Sequence, residues 1–249
     1  SNAVFTRTPQ KRLGAAVTPS SFVPMRFACT TFPLAALPVM SPVAPGEVRA
    51  QLPPAPPEQP EPFAGILHDL DTIIVPGVSH WQHPSFFGYF PANSELASVL
   101  GDYISTGLGI IGLSWQSSPA LSEVEEVVTD WMRQMVGLSE AWSGVIQDTA
   151  STSTLLALLC ARERATDYSL ARGGLQAEPR PLVVYTSPHS HSSVEKAALL
   201  AGFGRVNVRT IATDASYAMR ADALVEAIAA DRAAGVQPCA IVATTGTTA

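Results

Sequence analysis

The stretch Ser187-Pro188-His189-Ser190-His191-Ser192-Ser193-Val194-Glu195-Lys196-Ala197 holds two of the five histidines and one of only two lysines in the chain. Such side chains can ligate a metal, move protons, stack on a flat ring or, for lysine, condense with an aldehyde. On a strand, His189 and His191 would share a face. Neither this pair nor His80 with His83 is accompanied by the Cys, Asp or Glu set of a metal site, so none is expected. Lys196 follows His191 by five positions, which on a helix turns it roughly 140° away. It is expected on a solvated helix surface, and Lys11, the other lysine, sits among prolines.

A second cluster, Asp148-Thr149-Ala150-Ser151-Thr152-Ser153-Thr154, precedes Leu155 and a helix. Small residues at a helix N-terminus leave backbone N–H groups unpaired, the helix dipole favours anions, and hydroxyls add donors. That is a phosphate cradle. The same residues also cap helices that bind nothing. A third cluster, Thr244-Thr245-Gly246-Thr247-Thr248, follows an apolar run. The fourth group is aromatic: His80-Trp81-Gln82-His83-Pro84-Ser85-Phe86-Phe87-Gly88-Tyr89-Phe90-Pro91. Broken by proline and glycine, it is either a core loop or the wall of a pocket for an aromatic ligand.

These clusters need elements to hold them. Residues 93–107 place Leu96, Val99, Leu100 and Tyr103 on one helical face. Ser118-Pro119 reads as the N-cap and first turn of a helix with Leu121, Val124, Val128, Trp131 and Met135 on one stripe, closed by Gly137. Glu123, Glu125 and Glu126 in its early turns read as a solvated, dipole-matched face. Then strands and helices alternate. Residues 144–147 lead into the second cluster and its helix. Residues 181–185 form an apolar strand that runs into the histidine motif and a helix. Residues 206–211 read as a strand, 221–234 as a helix and 239–244 as a buried strand. This alternation predicts an α/β layer with a largely parallel sheet. Ligands sit beyond the carboxyl ends of such strands. The clusters 149–154, 187–193 and 244–248 all fall there, which is the strongest sign of a site.

The whole chain bounds the rest. With 249 residues and 47% hydrophobic content it can fill a substantial core. A net charge of −6 excludes a general nucleic-acid binder. Cys29, Cys160 and Cys239 form neither a disulfide framework nor a CxxC pair, which points to a reducing cytoplasm. No apolar run approaches the length of about 18 residues that spans a membrane. Residues 1–3 read as a tag remnant. Residues 4–62 hold 13 of the 21 prolines and read as an extended, proline-rich N-terminal arm. Residues 4–30, basic and without acids, also fit a transit peptide, the weaker reading. Residues 63–249 carry the clusters. Because an apolar strand stands so near Ala249, the chain is expected to be part of a longer polypeptide.

Five ordered blocks carry a resemblance: PGVSHWQHPSFFGYFPANS, GLSWQSSPALSEVEEVVTDWM, SGVIQDTASTSTLLALLCARER, SPHSHSSVEKAALLAG and IVATTGTTA. Together, from Pro76 to Ala249, they resemble the group II pyridoxal-phosphate-dependent amino-acid decarboxylases, in their aromatic-L-amino-acid and tyrosine branch. The resemblance implies an aspartate-aminotransferase-like (fold type I) large domain, of which residues 63–249 would be the N-terminal part, incomplete at its C-terminal side. It implies pyridoxal 5'-phosphate as cofactor and a homodimer whose pockets are shared across the interface; charge and hydropathy already leave no nucleic acid and no membrane as expected partner.

The resemblance also implies roles. Ala150 and Ser151 would hold the phosphate. His191 would stack on the pyridine ring and assist protonation at the substrate's alpha carbon, and Thr248 would lie near the ring. Trp81, Tyr89, Phe90 and Pro91 would wall the substrate pocket, with Ile111 and Leu113 contributed across the dimer interface. The expected reaction is decarboxylation of an aromatic L-amino acid (tyrosine, dopa or tryptophan) to its amine. The alternatives are an aromatic aldehyde synthase, a histidine or glutamate decarboxylase, or a fragment without catalysis. The family's cofactor-binding lysine and an aspartate facing the ring nitrogen are expected beyond residue 249. Asp148, Thr152 and Leu113 depart from residues common in the family.

Overall fold

The computed structural model describes residues 2–3, 34–90 and 95–246. Pro91 and Thr248, both expected at the site, lie outside the described residues. The described chain forms two compact units, residues 34–90 with 95–110, and residues 111–246 with Asn2–Ala3.

In the first unit, α1 (Glu47–Gln51) and α2 (Phe63–Asp69), continued by a π-helical turn at Leu70–Ile74, precede the aromatic segment. Residues 39–41 lie on this segment. The His80 N–H donates to Val39 O at 2.9 Å, and Ser41 Oγ donates to Pro76 O at 3.0 Å. Helix α3 (Leu96–Leu108) follows and ends at Gly109. Its predicted apolar face of Leu96, Val99, Leu100 and Tyr103 is exposed within this unit.

The second unit opens with α4 (Pro119–Met135). Ser118 stands at the N-cap, but its side chain makes no capping bond there. The far end closes as the sequence predicts. Gly137 takes φ 72°, the Leu138 N–H reaches Arg133 O at 3.0 Å, and the Gly137 N–H reaches Gln134 O at 3.0 Å. Arg133 is buried and clasps the same turn, through Asp130 Oδ1 and Leu138 O, each at 2.7 Å. Two of the three glutamates read as a solvated face have specific partners instead. Glu125 accepts from the Ile146 N–H at 2.8 Å, and Glu123 accepts from Trp115 Nε1 at 3.1 Å. Periodicity could not reveal either bond, since each partner lies on another segment.

Two sheets follow. Strand β1 (Asn2–Ala3), at the predicted tag remnant, pairs antiparallel with β2 (Ile146–Gln147). Strands β3 (Leu182–Thr186), β4 (Val208–Thr210) and β5 (Gln237–Ile241) form a parallel sheet in the order β4-β3-β5. Helices α5 (Ala150–Ala165) and α6 (Ser193–Leu200) cover one face, and α7 (Ala221–Ala233) covers the other.

The core follows from the apolar run of β3, buried on both sides as a central parallel strand must be. Leu182 and Val184 pack against Leu158, Ala197, Ala198, Ala201 and Phe203. Val183 and Tyr185 alternate to the other face, against Ile211, Leu224 and Ile228. Arg162 Nη1 donates to Ala201 O at 2.7 Å, tying α5 to the end of α6.

Three boundaries differ from the sequence reading. Val206 and Asn207 form a 3₁₀ turn rather than a strand, because Asn207 Nδ2 bonds Phe203 O at 2.7 Å and satisfies the backbone locally. Strand β5 starts earlier, at Gln237, whose N–H donates to Pro181 O at 2.9 Å. It is half-buried rather than buried. Its pairing jumps from Val183↔Pro238 to Val184↔Ala240, a bulge that accommodates a proline without an N–H. Finally, α5 begins at Ala150, ahead of Leu155, so the polar cluster is the first turn of the helix itself.

Candidate active site

The first turn of α5 explains how a run of hydroxyl residues can be helical. Thr149 caps it, its Oγ1 accepting from the Thr152 N–H at 3.2 Å. Inside the helix the hydroxyls bond backward, Ser153 Oγ to Thr149 O at 3.1 Å and Thr154 Oγ1 to Ala150 O at 2.8 Å. Ala150 and Ser151 occupy the first two helical positions, where an N–H has no carbonyl one turn back to reach. Those two groups, with the Ser151 hydroxyl and the helix dipole, are suited to an anion.

The histidine loop leaves the carboxyl end of β3 and enters α6. His191 Nδ1 accepts from the Ser193 N–H at 3.2 Å and lies 2.8 Å from Ser193 Oγ. A backbone N–H can only donate, so Nδ1 carries the lone pair and Nε2 carries the proton. The ring is thereby held at the start of α6. Lys196 is on the exposed side of that helix.

Two of the three polar clusters meet directly. Ser190 Oγ lies 3.0 Å from Thr244 Oγ1 and 2.5 Å from Thr186 Oγ1, joining the carboxyl ends of β3 and β5. Beside them is a cavity of ≈ 270 Å³ lined by Thr186, Ser187, Ser190, His191, Arg205 and Thr210, among others. None of its lining comes from residues 149–154. That cluster belongs to the same side of the sheet because α5 and α6 pack side by side over Leu182 and Val184. Among the described residues no group of three or more His, Cys, Asp or Glu side chains converges as a metal site would need.

The aromatic segment is held together by ring stacking. Trp81 is the middle of a stack, 5.0 Å from Phe86 and 5.5 Å from Tyr89 between ring centroids. Tyr89 takes φ 56° to reach it. Within their unit Trp81, Tyr89 and Phe90 are exposed. In the other unit, Ile111 and Leu113 are also exposed, on a loop shaped by Ser117. Its hydroxyl donates to Ile111 O at 2.9 Å and accepts the Ser114 N–H at 3.0 Å. Gly112 lets this loop approach α4, since a Cβ there would stand 2.7 Å from Leu121 Cδ2.

The sequence reading missed Ser190 as a junction and Tyr217 altogether. Tyr217 meets His189 edge-on, at 4.9 Å between ring centroids. The only local signal was the run Asp214-Ala215-Ser216-Tyr217, a turn composition with an aromatic in it.

Two open N–H groups and a hydroxyl at a helix start suit a phosphate, and an imidazole held beyond a strand end suits a flat ring. Comparison with known proteins gives the family. Residues 45–249 match the pyridoxal-dependent decarboxylase conserved domain. The aromatic-L-amino-acid decarboxylase of Bos taurus is 45% identical over 217 residues, covering 83% of this chain and 44% of that protein. The phenylacetaldehyde synthase of Arabidopsis thaliana is 42% identical over 223 residues, covering 85% of this chain and 44% of that protein. Among solved structures, Oryza sativa TDC with PLP and tryptamine superposes with a TM-score of 0.80 at 36% identity, covering 87% of this chain and 46% of that one. The chain spans about half the length of the curated relatives it matches.

Proposed function

Because the chain belongs to the pyridoxal-dependent decarboxylase family, we propose that the whole protein removes the carboxylate of an aromatic L-amino acid, of the tyrosine, dopa or tryptophan class, as carbon dioxide and leaves the amine. Its fold is that of the fold type I pyridoxal-phosphate-dependent decarboxylases. The observation that carries the reading is His191, pinned by Ser193 at the end of β3 with its proton on Nε2. The substrate class is supported by the likeness to aromatic-amino-acid enzymes and by the exposed Trp81–Phe86–Tyr89 stack.

In this reading the Ala150 and Ser151 N–H groups would take the phosphate of pyridoxal 5'-phosphate, and His191 would serve its ring, with Thr248 assigned beside it by the resemblance. Bound there, the cofactor supplies a sink for the electron pair left when carbon dioxide departs. The chain's own residues orient and protonate. His191, its Nδ1 taken by Ser193, would supply a proton from Nε2 to the carbon that lost the carboxylate. The resemblance assigns Trp81, Tyr89, Phe90 and Pro91 to the wall around the substrate's aromatic side chain, and Ile111 and Leu113 to the pocket of a second copy in a homodimer. The scattered cysteines support a cytoplasmic location.

The likeness to phenylacetaldehyde synthase favours a second reading, decarboxylation coupled to oxidative deamination. One experiment separates them. The whole protein is incubated with pyridoxal 5'-phosphate and tyrosine, dopa or tryptophan, and carbon dioxide, amine, aldehyde, ammonia and dioxygen uptake are measured. Carbon dioxide and amine in equal amounts are expected. Aldehyde and ammonia with dioxygen consumption establish the second reading, and no carbon dioxide from any of the three overturns both.

A further inference from the structure

The loop that carries His191 is tied to the fold from both flanks of β3. On the β5 flank, Ser190 Oγ joins Thr244 Oγ1 at 3.0 Å, and it also meets Thr186 Oγ1 at 2.5 Å and Ser187 Oγ at 3.4 Å at the end of β3 itself. On the β4 flank, the His189 imidazole meets the Tyr217 ring with planes at 89°. Tyr217 stands between β4 and α7 at φ 66°, a backbone region that few residues other than glycine occupy.

The turn around Tyr217 enforces that conformation. Asp214 Oδ1 accepts from the Ser216 N–H at 2.8 Å, the Ser216 hydroxyl at 2.7 Å and the Ala218 N–H at 3.0 Å. The Asp214 N–H donates to Ala218 O at 2.9 Å, and Thr213 bridges Met219. Strained residues persist where their surroundings over-determine them, and they cluster at functional sites. Tyr217 remains 65% exposed, so burial does not account for its conformation. What the conformation yields is the contact with His189.

We propose that Ser190 and Tyr217 are positioning residues that clamp the His189–His191 turn from its two flanks and so fix the ring of His191. The importance of that ring rests on the function proposed above; the clamp itself rests on the geometry. Apart from these ties, the bonds described for the turn are local, such as the Ser190 N–H to Ser187 O at 3.2 Å and the Val194 N–H to His191 O at 3.0 Å. The ties therefore select one path for the backbone entering His191, and Ser193 then selects the ring orientation.

The test uses Ser190→Ala, Ser190→Thr, Tyr217→Gly and Tyr217→Phe in the whole protein. Each variant is titrated with pyridoxal 5'-phosphate, with the thermal midpoint and the ¹⁵N shifts of the His191 ring recorded without cofactor. Tyr217→Gly separates the possibilities, because it relieves the backbone while removing the ring. A merely structural role predicts an equal or higher midpoint and unchanged His191 signals. The clamp predicts that Ser190→Ala and Tyr217→Gly bind the cofactor about three- to tenfold more weakly, and that His191 becomes a mixture of tautomers. Ser190→Thr and Tyr217→Phe stay near the parent. Parental affinity and parental His191 signals in Ser190→Ala and Tyr217→Gly overturn the clamp. Should Ser190→Ala unfold, Tyr217→Gly decides alone. A parent that binds no pyridoxal 5'-phosphate overturns the cofactor reading instead, while the His191 tautomer still decides the clamp.

Discussion

Tyr185 Oη donates a 2.9 Å hydrogen bond to Asp231 Oδ2, linking the central strand β3 to α7 beneath it. The same carboxylate accepts from Arg209 Nη2 at 2.7 Å, so one acid joins β3, β4 and α7. Tyr185 is fully buried, and its ring serves the core while its hydroxyl serves this junction. Asp231→Ala leaves both donors without their acceptor and is expected to cost about 2–3 kcal/mol. Tyr185→Phe leaves the Arg209–Asp231 pair intact and is expected to cost about 1 kcal/mol. Urea denaturation of the two variants measures both, and an unchanged stability in Tyr185→Phe would show that Arg209 alone organises Asp231.

The junction also sets a pH dependence. Burial, reinforced by the bond to Asp231, pushes the Tyr185 phenol up to about 12. An unfolded tyrosine ionises near about 10. The folded value is the higher one, so the contribution is complete below about pH 10 and is lost as pH rises through about 12. At the acid end, the Arg209 hydrogen bond holds the Asp231 carboxyl below the usual carboxylate range. Its contribution is present above about pH 4 and is lost as pH falls through the lowered value. Stability measured against pH is expected to fall in both windows. The alkaline fall attributable to this residue disappears in Tyr185→Phe.

Gly137 ends α4 at φ 72°, with open space where a Cβ would stand. Gly137→Ala therefore probes the backbone alone, and a loss of about 1–2 kcal/mol is expected. Gly101, inside α3 with equally open surroundings, gives the opposite sign: Gly101→Ala is expected to gain about 0.5–1 kcal/mol. Thermal unfolding of the pair reads the difference.

The proposed phosphate contact predicts a selective effect at Ser151. Ser151→Asp sets a negative charge among the open N–H groups of α5, and pyridoxal 5'-phosphate affinity is expected to fall at least about tenfold. Affinity for pyridoxal without the phosphate stays near that of the parent. Equal losses for the two compounds would place the phosphate elsewhere.

His191 combines a ring face with a proton at Nε2, and two substitutions separate these roles. His191→Phe keeps a flat ring and is expected to retain most cofactor affinity while losing turnover by about 10²–10⁴-fold. His191→Ala loses both. Cofactor titration and carbon dioxide release distinguish the outcomes, and full turnover in His191→Phe would remove the proton role.

Much of this was legible in the sequence. The apolar run at Leu182–Tyr185 announces a central strand because a parallel strand covered on both faces needs apolar residues at every position. Ser118-Pro119 and Gly137 bracket α4 because proline and glycine act through local backbone geometry. The polar clusters at 149–154 and 187–193 stand out because helix starts and strand ends are the places where polar backbone and side chains remain available, while the roles of Ala150, Ser151 and His191 within them come from the resemblance. The less legible parts were the boundaries of β4 and β5. Asn207 bonds back to Phe203 O, and Pro238 sits at a bulge, so local bonding and register decide where those strands begin.

The sequence by itself determined the layered α/β arrangement, the polar clusters at strand ends and the family to which they point, since each is written in local periodicity or in ordered motifs. Only the tertiary structure decided which clusters touch. Ser190 and Thr244 are 54 residues apart and become neighbours because β3 and β5 pair in parallel, which brings their carboxyl ends to one edge. Tyr217 reaches His189 by the same logic on the β4 flank, through a turn held by Asp214. Contacts of this kind depend on strand order and register. No residue spacing along the chain encodes them, so His189 looks incidental in the sequence and becomes a contact point in the fold.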